Sequence, residues 1–322
     1  FDTITLPSTL ELQTTIGEST ILRSEDQQNQ NKIQLNLHEK FLQLIYNLYS
    51  QKPNSHDSTQ HNKVLFIFEN SRDASIHNAN VLAYYNFDLN SALLDQRNTP
   101  LFYGSEFKKY YELEKLLKQH PLWHHTKNIL SSGAKFPLEP IDSDKRIEDN
   151  NYHMGRGNHK SAIDNKDILS NMLQEDVKRA FVLILPTQIT SYFKNISIAP
   201  LGCPEQGTIN EQGERTTKHR MTHDQSFPGP SSLSVNNRVI HKDLPPSNVY
   251  GFTFKRILHY ITSLRNQHPS SKIFISKFDF DAAYRRCHLS AEMALECCTI
   301  HEDYLYMHLR LTFGGSPCPT LW

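Results

Sequence analysis

Long apolar runs, net charge and a regular cysteine pattern are all missing from this sequence. Its 34 Lys and Arg balance 34 Asp and Glu, and only 38% of its 322 residues are hydrophobic. The longest apolar run, FVLILP at 181–186, falls far short of the roughly 20 residues that a membrane-spanning helix needs. The sequence therefore predicts no membrane partner, and net charge alone indicates no ligand class.

The cysteines indicate a reduced protein. They are odd in number, five, and their spacing fits neither a zinc ribbon nor a disulfide framework. Because no secretory signal pattern opens the chain, we expect an intracellular location, cytoplasmic or nuclear. The sequence begins at Phe1 and stops at Trp322 directly after a turn-rich motif, so we also expect a piece of a longer protein.

Composition and periodicity divide the chain into three predicted regions. Residues 1–90 form a poorly defined polar and helical region, 91–180 a helical region, and 181–322 a region of strands, hairpins and one helix. The helix is expected to turn its apolar face inward. The elements expected in the third region are a strand at 181–186, a long hairpin with arms at 196–204 and 216–224, a helix at 251–267, a strand at 272–280 and a hairpin at 297–313.

Charge is spread unevenly along the chain. Residues 214–286 hold twelve Lys and Arg against five Asp and Glu, which makes this segment +7 and the remainder −7. A local basic surface suits a polyanionic ligand. An ordinary solvated surface explains the same charges, and both interpretations stay open at this point.

The predicted strand at 272–280 leads into two aspartates, Asp279 and Asp281. Burying ionised carboxylates costs several kcal/mol unless something compensates for the lost hydration. A hard divalent cation is such a partner, since Mg²⁺ takes oxygen ligands and completes its shell with substrate phosphates. Asp279 is therefore a candidate metal ligand, and Asp281 shares its face if the strand continues.

The segment KFDFDAAYRR at 277–286 resembles motif A of retroelement reverse transcriptases. The resemblance assigns Asp279 to the catalytic, metal-binding aspartate. It assigns Tyr284 to the aromatic residue that lies beneath the incoming sugar and excludes a 2′-hydroxyl. Asp281 is either a weaker metal ligand or a turn residue, and Tyr284 is otherwise a plain core aromatic.

Two further segments resemble the same family in the same order. KHRMTHDQSF at 218–227 is similar to the fingers motif, which implies that Lys218 and Arg220 contact the nucleotide triphosphate. LTFGGSPCPTLW at 311–322 is similar to motif B, in which the turn Phe313, Gly314 and Gly315 shapes the template–nucleotide pocket. The resemblance is clear over about 155–322 and absent before residue 90.

The resemblance implies a fold and a function. The expected fold is α+β, the fingers and partial palm of a right-hand polymerase, preceded by a mostly helical N-terminal region. The expected activity is that of an RNA-directed DNA polymerase of a retrotransposon, a nucleotidyltransferase that adds deoxynucleotides to a primer 3′-hydroxyl by two-metal phosphoryl transfer. The implied cofactor is Mg²⁺ or Mn²⁺, and the implied partners are an RNA or DNA template, a primer strand and deoxynucleoside triphosphates.

The sequence also departs from the family pattern. It contains no Tyr-x-Asp-Asp motif, whose aspartates complete the metal site in the family, so we expect this fragment alone to be inactive. Two alternatives stay open. One is a decayed, non-catalytic remnant that binds nucleic acid; the other is an assembly role in a polyprotein for residues 1–150. Arg285 and Arg286 either touch nucleic acid or solvate the surface.

Overall fold

The fold mixes α-helix with antiparallel β-sheet, which agrees with the predicted α+β class. The computed structural model describes residues 65–96, 110–210, 212–245, 252–276 and 280–322. These residues group into one compact unit, and the predicted boundaries at residues 90 and 180 stay predictions. The helices are α1 (Arg72–Tyr84), α2 (Leu89–Gln96), α3 (Tyr110–Leu117), α4 (Trp123–Ser132), α5 (Ser143–Arg156), α6 (Lys160–Asp164), α7 (Lys166–Lys178), α8 (Thr253–Gln267), α9 (Ala291–Glu296) and α10 (Cys318–Leu321).

The described strands form three small antiparallel sheets. The largest has the order β1-β7-β6, and the other two pair β2 with β5 and β3 with β4. The predicted strand at 181–186 and the predicted hairpin at 297–313 are both confirmed, as β1 and as the β6–β7 pair. The strands are β1 (Val182–Pro186), β2 (Leu201–Gly202), β3 (Glu205–Ile209), β4 (Arg215–His219), β5 (Thr222–His223), β6 (Cys298–His301) and β7 (Tyr304–His308).

Strand β1 is buried because helices cover it while β7 pairs with its edge. Apolar residues of α7 recur at helical spacing, with Leu169, Leu173 and Val177 all fully buried against the sheet. Asn78 of α1 donates from Nδ2 to the Ile184 carbonyl oxygen at 3.1 Å, which ties the second helix to the strand. Each buried Leu contributes about 2 kcal/mol, so this layer forms the centre of the fold.

The predicted long hairpin is confirmed as two consecutive strand pairs. Leu201 lies opposite His223 in the inner pair, and Glu205 lies opposite His219 in the outer pair. All the side chains of β3 are exposed, and those of β4 are exposed or half-buried. The hairpin thus extends a two-stranded ribbon into solvent.

Two predictions about the region before the predicted motif A are wrong. Helix α8 forms as expected, but its apolar residues do not face inward, and none of its residues is buried. The described part of the predicted strand, 272–276, has no regular structure, and Phe274 and Ile275 are 84% and 73% exposed. None of the described strands pairs with this run. Without a neighbouring strand, its backbone N–H and C=O groups have no partners in a sheet, so the run does not form a strand.

Candidate functional site

The turn in the predicted motif B packs against the chain that follows β5. The backbone amide of His223 donates to the Phe313 carbonyl oxygen at 3.0 Å. Asn236 holds the next residues, since its Nδ2 donates to the Gly314 carbonyl oxygen and its Oδ1 accepts from the Ser316 amide, both at 2.8 Å. One amide side chain thus fixes both sides of the turn.

Glycine is required at the centre of this turn. Gly314 has a φ of 150°, and a Cβ atom at this position would overlap the carbonyl oxygen of His223. A Cβ on Gly315 would lie 2.7 Å from Oε1 of Gln225 and 2.8 Å from Sγ of Cys318. Both glycines therefore allow the two segments to approach closely, while their approach to a template or nucleotide stays a prediction.

Three of the predicted nucleotide-binding residues meet on one surface. The guanidinium carbon of Arg220 lies 5.5 Å from the centre of the Phe313 ring. Phe313 also stacks with Tyr284, with ring centres 6.3 Å apart and planes inclined by 28°. Phe313 is 46% exposed and Tyr284 is half-buried. We call these residues, Arg220, Phe313 and Tyr284, the Arg220 stack.

Lys218 lies near the end of β4, opposite Gln206, and its side chain is exposed. Arg220 follows two residues later, and its amide donates to the Pro204 carbonyl oxygen at 3.1 Å, which continues the extended backbone. Side chains two residues apart in extended backbone point to the same side. Lys218 and Arg220 therefore present their charges on one face of the hairpin.

Of the two aspartates of the predicted motif A, the structure describes only Asp281. Asp279 lies outside the described residues. Asp281 is exposed, and its Oδ2 lies 3.4 Å from Nη1 of Arg179 and 3.7 Å from Nη2 of Arg286. Nε of Arg286 also donates to the Asp281 carbonyl oxygen at 3.0 Å. These contacts support the interpretation of Asp281 as a turn residue and give Arg286 a partner within the chain.

The predicted metal ion needs a cluster of acidic, histidine or cysteine side chains as ligands. In the part of the chain that the structure describes, no group of three or more His, Cys, Asp or Glu residues could hold a metal ion. The carboxylate of Asp281 already faces two guanidinium groups, which balance its charge. A Mg²⁺ or Mn²⁺ site thus depends on Asp279 and stays a prediction.

Arg285 has a role that neither interpretation of the sequence anticipated. It is buried, its Nη2 donates to Oδ2 of Asp176 in α7 at 2.6 Å, and its Nη1 lies 3.2 Å from Nδ1 of His308 in β7. A guanidinium in this position neither touches nucleic acid nor solvates the surface. Because Tyr284 precedes it directly in the chain, the Arg285 contacts anchor one end of the Arg220 stack to the sheet.

Two buried histidines lie beside this anchor. His223 and His308 pack edge to face with ring centres 4.3 Å apart. Burial first, and then the positive charge of Arg285, hold the pKa of His223 well below its usual value. The pKa of His308 is likewise well below its usual value, because of burial, then His223, then Arg285. Both rings are therefore neutral in the folded chain.

A second buried ionic group lies at the end of α9. Glu296 accepts hydrogen bonds from Arg146 at 2.9 Å and from Arg238 at 2.5 Å. Burial alone would raise the pKa of the Glu296 carboxyl, but the hydrogen bonds from Arg146 and Arg238 and their charges hold it below its usual value. The sequence gives no signal for this group, because the three residues are widely separated.

Comparisons with known proteins add no relative. Neither the models of known protein families, nor the curated proteins, nor the solved structures yield a match to this chain. Among the described residues, none of the helices has the length and apolar character needed to cross a bilayer.

Proposed function

We propose that this chain is the fingers and partial palm of a retrotransposon reverse transcriptase, an RNA-directed DNA polymerase. The observation that carries the proposal is the Arg220 stack. Its members come from the three segments that resemble the fingers motif, motif A and motif B. Their meeting on one exposed surface is what a nucleotide-binding pocket requires, and a chance resemblance of short motifs gives no reason for it.

Each residue has a distinct task in the proposed reaction. The guanidinium of Arg220 binds two phosphate oxygens through its planar fork, and Lys218 adds a compact positive charge. Tyr284 lies beneath the sugar and excludes a 2′-hydroxyl, while Phe313, Gly314 and Gly315 shape the pocket for the paired bases. The primer 3′-oxygen forms a bond to the α-phosphorus of the deoxynucleotide, and the bond to pyrophosphate breaks.

Asp279 is the proposed metal ligand. Mg²⁺ or Mn²⁺ held there would supply positive charge to the oxygens of the reacting phosphate. The test is primer extension, with RNA and DNA templates, by a longer protein that contains this chain. Asp279→Ala should abolish extension, whereas extension that survives this change would overturn the assignment.

The nucleotide-binding role of Arg220 has a matched control on the strand that precedes it. Arg220→Ala should raise the KM for deoxynucleotides about tenfold or more, because a charge-assisted hydrogen bond is worth about 1.5–3 kcal/mol. Arg215→Ala removes an exposed arginine at the first position of β4, on the strand that leads to Arg220, and should leave KM unchanged. Equal effects of both changes would remove the specific role of Arg220.

A second candidate function is nucleic-acid binding without polymerisation. The ion pairs of Asp281 favour it, since they leave one of the two predicted motif A carboxylates occupied. This remnant would bind nucleic acid in a salt-dependent manner and fail to extend a primer even as the longer protein. The assembly role of residues 1–150 is tested by truncation: extension that is unchanged without them supports a separate function for that part.

A further inference from the structure

Helix α8 presents two different faces, and neither is buried. Starting at Phe252, which precedes the helix, one face combines aromatic rings with cations at spacings of three, four, seven and eight residues. The opposite face is apolar. The first face consists of Phe252, Lys255, Arg256, His259 and Tyr260, and the second of Phe254, Ile257, Leu258, Ile261 and Leu264.

The residues of the first face line an open groove of about 500 Å³. Nζ of Lys255 lies 5.7 Å from the centre of the Phe252 ring, and the rings of His259 and Tyr260 meet edge to face at 6.4 Å. Phe252 and Tyr260 are 66% and 67% exposed. Two cations therefore lie between accessible aromatic rings along the groove.

The charge around this groove is of one sign. Residues 252–276 include four Lys and Arg and no Asp or Glu. Lys255 and Arg256 form no ion pair with any carboxylate of the described residues. The ligand that complements this groove is negatively charged and offers flat surfaces to the two rings.

We propose that this face of α8 is a binding site for single-stranded nucleic acid. Aromatic rings stack on bases of any sequence, and Lys and Arg along the same path bind the phosphates. A duplex hides the faces of its bases, and an acidic peptide has few planar groups to stack. A membrane-bound helix would place its aromatic rings with the apolar face, where Phe254 lies, whereas Phe252 and Tyr260 lie among the cations.

The spacing of the rings sets the length of the ligand. Phe252 and Tyr260 are eight positions apart, which corresponds to about 12 Å along a helix axis. Stacked bases of one strand follow each other at about 3.4 Å. The two rings therefore contact bases at the ends of a segment of roughly four nucleotides, and the phosphates between them pass Lys255 and Arg256.

Fluorescence anisotropy with the 322-residue chain tests the site. The probes are fluorescein-labelled oligo(dT) and oligo(U) of two, four and eight nucleotides, and affinity should rise steeply between two and four. Tyr260→Ala should weaken binding about tenfold, because one base loses its stacking partner. The double change Lys255→Ala and Arg256→Ala should lower the slope of log K against log salt by about 1.4.

Matched controls lie on the opposite face of the same helix. Phe254→Ala and Arg265→Ala remove the same kinds of side chain there and should leave affinity and salt slope unchanged. Tyr260→Trp should bind as well as the parent chain, and Tyr260→Leu should not, since stacking needs a ring and not the hydroxyl. All these residues are exposed, so the variants other than Arg265→Ala should melt at the parent temperature; Arg265→Ala also loses hydrogen bonds to the carbonyl oxygens of Pro269 and Ser271.

Three results would overturn the site: unchanged binding by Tyr260→Ala, equal losses in the control variants, or tighter binding to phosphatidylserine vesicles or poly-glutamate than to the oligonucleotides. The proposal does not depend on polymerase activity. Loss of primer extension in the longer protein leaves the oligonucleotide result standing, and loss of oligonucleotide binding by Tyr260→Ala leaves the assignment of Arg220 standing.

Discussion

The basic residues of this chain serve two opposite purposes, and the contrast lies within one charged segment. Arg238 and Arg285 are buried and bound to Glu296 and Asp176. Lys255 and Arg256, from the same segment, are exposed and have no carboxylate near them in their own stretch of chain. A count of charges assigns all four to one basic surface, whereas the fold divides them between the interior and a surface groove.

The two groups also differ in what they cost the fold. A buried guanidinium loses several kcal/mol of hydration, so it is tolerated only with a carboxylate and hydrogen bonds around it. An exposed cation keeps its water and contributes little to stability. The buried group should therefore resist change because stability depends on it, and the exposed group should be free to change unless a ligand needs it.

The largest effect is expected for Glu296. Glu296→Gln leaves the guanidinium groups of Arg146 and Arg238 buried without a countercharge, which should lower the free energy of unfolding by about 3–5 kcal/mol. Urea denaturation followed by circular dichroism measures this loss. Glu292→Gln on the same helix is the control, because its exposed ion pair with Lys135 should contribute less than about 1 kcal/mol. Similar losses for both variants would contradict the expected difference between buried and exposed ion pairs.

The neighbouring residues Arg285 and Arg286 provide the second test. Arg285→Met removes the contacts to Asp176 and His308 and should cost about 3 kcal/mol of unfolding free energy. Arg286→Met loses its contacts with the exposed Asp281 and should cost about 0.5 kcal/mol. Thermal melts of the two variants compare them directly. A larger loss for Arg286→Met would show that the anchor of the Arg220 stack is assigned to the wrong arginine.

Acid should destabilise the interior through His223 and His308. Their pKa values are lower in the folded chain than the unfolded value of about 6.5, so the unfolded state binds more protons as the pH falls below that value. Stability should therefore be full above about pH 6.5 and decrease below it, by up to about 1.4 kcal/mol per pH unit for each histidine.

Replacing one of the two rings isolates this effect. His223→Phe keeps the ring shape, and neither ring nitrogen of His223 has a hydrogen-bond partner to lose. The slope of unfolding free energy against pH between 6.5 and 5 should therefore fall by the contribution of one histidine, which is up to about 1.4 kcal/mol per pH unit. An unaltered slope for His223→Phe would mean that this ring is already charged in the fold.

Local patterns predicted local structure well in this chain. The strand FVLILP could be predicted because it is a continuous apolar run. The long hairpin and the hairpin at 297–313 could be predicted because their paired strands are close in sequence. The Arg220 stack was predicted only as three separate assignments, since no pattern states that Arg220, Phe313 and Tyr284 touch. Burial of Arg285 was missed because its partners Asp176 and His308 are distant in sequence.

The smallest effect is expected where the prediction of a buried strand failed. Phe274 is 84% exposed, so Phe274→Ala should change the free energy of unfolding by less than about 0.5 kcal/mol. Phe181, directly before β1, is 4% exposed, and Phe181→Ala should cost about 3–5 kcal/mol. Parallel urea titrations of the two variants compare an apolar run inside the sheet with one outside it. A cost above about 2 kcal/mol for Phe274→Ala would mean that this run is packed as a strand after all. Residues 272–276 would then belong to the interior of the fold and not to its surface.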